Sequence, residues 1–179
     1  DDIELTYRNN YEYLDEEFEI SEGFVIPTGG YSFQSLEASY RLGPQRRVSG
    51  HANVGYGGFY NGNRTELGYG GRVEVTSQFS LEPDFSVNWV DLEQGSFVAQ
   101  VYRVRGNYTF SPRSVVAALV QYNSESESFS TNIRFRWEYR PGSDLYVVYT
   151  DWRQTSLERG YSQLETRSWV VKLTRLFRF

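Results

Sequence analysis

The chain has 179 residues and a net charge of −5, room for one domain and too little for two ordinary ones. Its longest unbroken apolar run, 115–120, falls far short of the roughly 20 residues of a membrane-crossing helix, and an acidic chain with no basic cluster denser than Arg46-Arg47 has no electrostatic footprint for nucleic acid. Without Cys there is no disulfide, thiolate metal site or thiol nucleophile; without Met, initiator included, Asp1 is expected to follow a cleavage. Mean hydropathy of −0.57 files the chain with soluble proteins, yet 15 Tyr, 12 Phe and 4 Trp make it 17% aromatic.

Helical period is scarce and period-two alternation is nearly continuous, which predicts about ten antiparallel strands. In chain order they are 3–14, 31–42, 48–60, 64–81, 85–91, 97–110, 114–122, 129–140, 145–152 and 166–179. In the eighth, Arg134, Arg136 and Glu138 interleave with Ile133, Phe135, Trp137 and Tyr139. The fourth alternates from Glu66 through Leu81, too long for a globular strand of roughly 5–6 residues.

The connections after strands two, four, six and eight each contain a proline: Gly43-Pro44-Gln45-Arg46-Arg47, Glu82-Pro83-Asp84, Ser111-Pro112-Arg113 and Pro141-Gly142-Ser143-Asp144. Proline fixes φ and cannot donate to a ladder, so each reads as a tight turn. The connections 15–30, 92–96, 123–128 and 153–165 read as longer or more polar, with Asn61-Gly62-Asn63 a hairpin turn on the same side. Short turns at one end and longer loops at the other predict a closed antiparallel transmembrane β-barrel of about ten strands with periplasmic termini, a single domain over 1–179 in a bacterial outer membrane.

Alternation alone does not say which face points inward. The polar face carries Glu4, Arg8, Glu12, Glu37, Arg41, His51, Arg72, Glu74, Arg103, Arg105, Arg134, Arg136 and Glu138, read here as a lumen network in which carboxylates and guanidinium groups pair. The apolar face carries Tyr7, Tyr11, Tyr13, Tyr40, Tyr56, Tyr60, Tyr69, Trp89, Tyr102, Tyr108, Trp137, Tyr139 and Trp169, many near strand ends, where the two aromatic girdles of a membrane barrel lie. Gln100 and Arg175 fall on that face too, and the pattern of 145–152 does not resolve its faces. A lipocalin-like soluble barrel is the competing reading; rings in nearly every strand would overfill its interior.

The stretch 132–149, with Gln121-Tyr122-Asn123 before it and Phe179 at the end, resembles the C-terminal barrel of an uncharacterised bacterial outer-membrane family whose longer members carry an N-terminal carbohydrate-binding family-nine-like domain. Gly58-Phe59-Tyr60-Asn61-Gly62 and Leu92-Glu93-Gln94-Gly95-Ser96-Phe97 are similar to its recurring turns. The resemblance covers most of the chain and implies the barrel fold but no established activity. No sugar-binding domain precedes the barrel here and family chains are longer, so a C-terminal part or a shortened relative is expected. Trp169, Val171, Leu173, Phe177 and Phe179 resemble the C-terminal signal that barrel-insertion machinery recognises.

No catalytic residue, cofactor or metal site is assigned. His51 is the only histidine, and it falls just after the turn at Pro44, on the lumen side and at the wrong end for a barrel enzyme. Glu125 and Glu127 read as part of a solvated loop. Asp15, Glu16, Glu17, Glu19 and Glu22 offer hard oxygen ligands that attract divalent cations, without the spacing of an EF-hand; Phe18, Ile20, Phe24, Val25 and Ile26 are odd in a water-exposed loop, and either extend the strands or fold into the mouth. Ten strands with so many long side chains leave a narrow or plugged lumen. The expected function is a non-enzymatic pore or transport component for small solutes, with sugars implied by the resemblance. The second reading is a structural anchor for a partner or sugar-binding domain, and a barrel enzyme comes third. The expected partners are the lipid bilayer and the insertion machinery, not nucleic acid.

Overall fold

The computed structural model describes residues 1–155 and 162–177, and these form strands without a helix. The strands are β1 (Asp2–Leu14), β2 (Phe18–Ser21), β3 (Phe24–Ile26), β4 (Gly29–Leu42), β5 (Val48–Phe59), β6 (Gly62–Glu74), β7 (Phe79–Leu92), β8 (Gly95–Ser111), β9 (Ser114–Asn123), β10 (Ser128–Arg140), β11 (Ser143–Gln154) and β12 (Gln163–Leu173). Ten of them make one sheet in the order β1-β4-β5-β6-β7-β8-β9-β10-β11-β12, while β2 and β3 pair with each other. By its contacts the chain divides into two compact units, Asp1–Gly71 with Asp84–Val101, and Arg72–Pro83 with Tyr102–Phe179.

Every neighbour in the large sheet is the next large strand in sequence, the arrangement that hairpin connections produce without crossovers. Its strands run from 10 residues in β9 to 17 in β8. Turn chemistry sets several boundaries. Between β10 and β11, Pro141 supplies a fixed φ and Gly142 takes φ +74°, while the Gly142 N–H donates to Glu138 Oε1 at 3.0 Å.

Three expectations need correction. The sequence predicts a turn at Glu82-Pro83-Asp84, but these residues lie inside β7 and the chain turns at 75–78 instead. There Thr76 Oγ1 accepts from the N–H groups of Gln78 and Phe79 at 3.2 and 3.0 Å, and the Phe79 carbonyl accepts from Val75 and Thr76. Such local bonds displace the ladder. The turn spans an even number of residues, so hydrophobic alternation passes through it without a break and hides it. The connection expected at 92–96 is also tighter than predicted, a two-residue turn at Glu93-Gln94 as short as the expected hairpin turn at Tyr60-Asn61, so length asymmetry rests on the first and last connections. Finally, no ladder joins β1 to β12 among the described residues, and both are edge strands of an open sheet.

Pairing registers fix the faces. Ile3↔Tyr40, Leu5↔Ala38 and Tyr7↔Leu36 share one face of β1 and β4, and Asp2↔Arg41, Glu4↔Ser39 and Thr6↔Glu37 share the other. In the second unit Trp137, Leu145 and Leu173 form one rung across β10, β11 and β12. Phe135, Val147 and Val171 form the next, then Ile133, Tyr149 and Trp169. The face of 145–152, undecided by its own pattern, is therefore settled by its neighbours.

The apolar face is bare. Ile3 is 78% exposed and Trp169 67%, with Leu5, Tyr7, Tyr11, Tyr56, Val171 and Leu173 similarly open. Among the described residues the buried hydrophobics are Ile26, Val87, Val90 and Leu92. Burying one large apolar side chain is worth about 1.5–3 kcal/mol, so this face holds a large unrealised burial free energy.

Candidate functional site

On the charged face of the first unit, Arg8 donates to Glu37 at 2.7 Å, across β1 and β4. Register places His51 opposite Arg41, and both line a recess of about 310 Å³ with Glu4, Glu37, Ser39 and Asn53. Gly70 makes room there: a Cβ on it would stand 2.9 Å from His51 Cε1 and 3.0 Å from Asp84 Oδ2. Two residues the sequence reading did not single out join the network. Glu66 accepts from Asn53 Nδ2 at 3.1 Å and pairs with Arg64 at 3.5 Å, while Arg64 also stacks 4.7 Å over the Phe59 ring. Their signal was present, since both share the parity of Arg72 and Glu74.

In the second unit Arg72 and Glu74 pair at 3.5 Å. Arg105 and Arg134 line one recess with Asn107, Leu119 and Asn132. Arg136 bonds Asp144 Oδ1 at 3.1 Å and lies 5.9 Å from the centre of the Tyr146 ring. Glu138 receives the Gly142 N–H. Arg103 also has a partner. Among the described residues the charged face thus carries short local pairings.

At the loop end the charged parity turns apolar. Tyr31 and Phe33 face Glu12 and Asn10, and the β2–β3 hairpin brings Ile20, Phe24 and Ile26 against Leu14, Tyr31, Phe59, Val90, Leu92 and Phe97. Ile26 is fully buried, and the rings of Phe24 and Phe97 lie 4.8 Å apart. Tyr60 sits in the β5–β6 turn at φ +50° with the rings of Phe18, Tyr31, Phe33 and Phe59 around it. Burial, then the charge and hydrogen bond of Glu12, push its hydroxyl pKa up. Of the two fates open to the apolar members of the first connection, folding over the sheet's mouth end is the observed one. Of the buried hydrophobics, Ile26, Val90 and Leu92 belong to this cap.

The acidic residues beside it do not converge: among the described residues no three His, Asp or Glu side chains come within reach of one ion, and Glu19 accepts the Gly23 N–H at 3.1 Å. Trp169, Val171 and Leu173 of the C-terminal signal lie on the apolar face of β12; Phe177 follows the strand under the Arg175 guanidinium, 4.9 Å from its ring centre, and Phe179 lies outside the described residues. Compared with known proteins, the chain matches no family model, no curated protein and no solved structure.

Proposed function

We propose that this chain is a non-enzymatic β-barrel element of a bacterial outer membrane, its aromatic face toward lipid and its charged face toward a lumen that the β2–β3 hairpin restricts. One observation carries the reading: an apolar face left exposed on strand after strand opposite a face whose charges are locally paired. Water penalises that polarity and a bilayer rewards it. Closure in the membrane is part of this reading, because hydrocarbon would leave the unpaired backbone groups of β1 and β12 without partners. The resemblance to the outer-membrane family belongs to the same reading. Such a barrel would act as a narrow or plugged pore for small solutes, with the acidic first connection drawing divalent cations diffusely.

Folded protein should require detergent and should migrate differently on gels before and after boiling. A monodisperse detergent-free solution refutes the membrane assignment. The buried cap favours a second reading, a membrane anchor whose closed mouth displays the loop end to a partner. Planar-bilayer recording separates the two: reproducible single-channel steps support the pore, and their absence from a correctly inserted sample supports the anchor.

A further inference from the structure

Beyond the three apolar rungs of β10–β12, the next position on the same face is Thr131–Asp151–Arg167. Asp151 is the centre of a compact cluster next to these apolar rungs. Its carboxylate accepts from Arg153 Nε at 2.6 Å, from Arg167 Nε at 2.9 Å and from the Tyr149 hydroxyl at 3.0 Å. Arg153 Nη2 also reaches it at 3.4 Å and Arg167 Nη2 at 2.8 Å.

The arrangement is lopsided in charge and in exposure. One carboxylate, its side chain 5% exposed, lies between two arginines whose side chains are 35% and 45% exposed, so the cluster presents a net positive charge. Each guanidinium turns its Nε–Nη2 edge to Asp151, which leaves the Nη1 end aimed away; that of Arg153 reaches Ser162 Oγ at 3.4 Å. With the Nε–Nη2 forks spent on Asp151, the outer Nη1 and Nη2 protons of two guanidinium groups held in place are what is left for phosphate oxygens. One rung below, roughly 7 Å along the strands, the rings of Tyr149 and Trp169 pack 4.7 Å apart at 46°. An amphipathic ring pair beneath a fixed arginine pair on a lipid-facing surface has the layering of a bilayer interface, rings at the acyl boundary and cations among headgroups.

We infer that Asp151, Arg153 and Arg167 form a binding site for the phosphate group of an anionic lipid headgroup, with the Tyr149–Trp169 pair seating the lipid's upper acyl segment. This rests on the membrane reading above. The bookend charges explain why Asp151 is there: alone, two adjacent guanidinium groups would repel, and the carboxylate between them offsets that repulsion.

The test uses the full chain inserted into phosphatidylcholine vesicles, with tryptophan fluorescence quenched by brominated phosphatidic acid or by brominated phosphatidylcholine. Wild type should be quenched preferentially by the acid, and the preference should fall roughly fivefold for each arginine removed in Arg153→Gln and Arg167→Gln. Should the double variant R153Q/R167Q misfold around an orphaned carboxylate, D151N/R153Q/R167Q keeps a neutral, hydrogen-bonding cluster and should show no preference. Arg134→Gln, on the opposite face, should keep it. A preference that survives in the triple variant overturns the site. Inorganic phosphate, exchanged for chloride at matched ionic strength, should leave the ratio unchanged; abolition would mean a site for free phosphate and would overturn the headgroup assignment. If wild type is quenched by neither lipid and shows no heat-dependent mobility, the membrane reading fails and takes the site with it. Equal quenching by both lipids sinks the site alone.

Discussion

Single side chains in this protein divide sharply by what replacement would disturb. Arg8 and Glu37 form a short ion pair, but the arginine is more than half exposed, so Arg8→Gln should change the unfolding free energy measured by urea titration by no more than about 1 kcal/mol. Gly50 is the opposite case. It lies at φ +145°, and a Cβ there would stand 2.3 Å from the Gly70 carbonyl oxygen and 2.5 Å from Gly71 Cα. Gly50→Ala should cost roughly 2–4 kcal/mol in the same measurement, from backbone strain and overpacking together. Tyr60 adds a pH dependence with a definite sign. Its folded-state pKa is raised, so its contribution is complete below the ordinary tyrosine value and is lost as pH rises through the higher folded value. The loop-end cap should therefore loosen in alkali, read by protease access, and Tyr60→Phe should remove that dependence.

Among elements, the β2–β3 hairpin has a stability of its own to lose. Its hold on the sheet is the burial of Ile26 with its neighbours Phe24 and Ile20. Ile26→Ala should weaken docking by about 2–5 kcal/mol. A glutamate-specific protease should then cut at Glu16, Glu17 or Glu22 faster, while the circular dichroism of the large sheet stays unchanged. This element shows where sequence reading stops. The apolar residues of the first connection were visible as misplaced, but a three-residue strand such as β3 has too few positions for a period to register. Pro83 misled for a related reason: proline is a turn signal only while no stronger local bonding competes, and Thr76 supplies that bonding seven residues earlier. Arg153 and Arg167 escaped notice because a strand end and a loop look alike in polarity. Their meeting on Asp151 depends on pairing between β11 and β12, which no local pattern encodes.

For the molecule as a whole, the open question is what the backbone of β1 and β12 pairs with. An exposed edge of 13 or 11 residues is a template for association. The chain has no cysteine, so an introduced pair reports without interference. Cys at Leu5 combined in turn with Cys at Val170, Val171 or Lys172 should give a within-chain disulfide in the membrane if a ten-stranded barrel closes. Links only between chains, or none across the series, would mean that the edges take other strands. Period-two alternation, long strands and turn residues such as Pro141-Gly142 were readable directly, because each is a property of consecutive residues. They were enough for ten antiparallel strands in sequential order and for two chemically opposed faces. Which charges meet, where the first connection folds, and the charged rung above the Tyr149–Trp169 pair all required strands distant in sequence to be set side by side. Contacts of that kind follow from register, and register is fixed by the summed fit of whole strands rather than by any one segment.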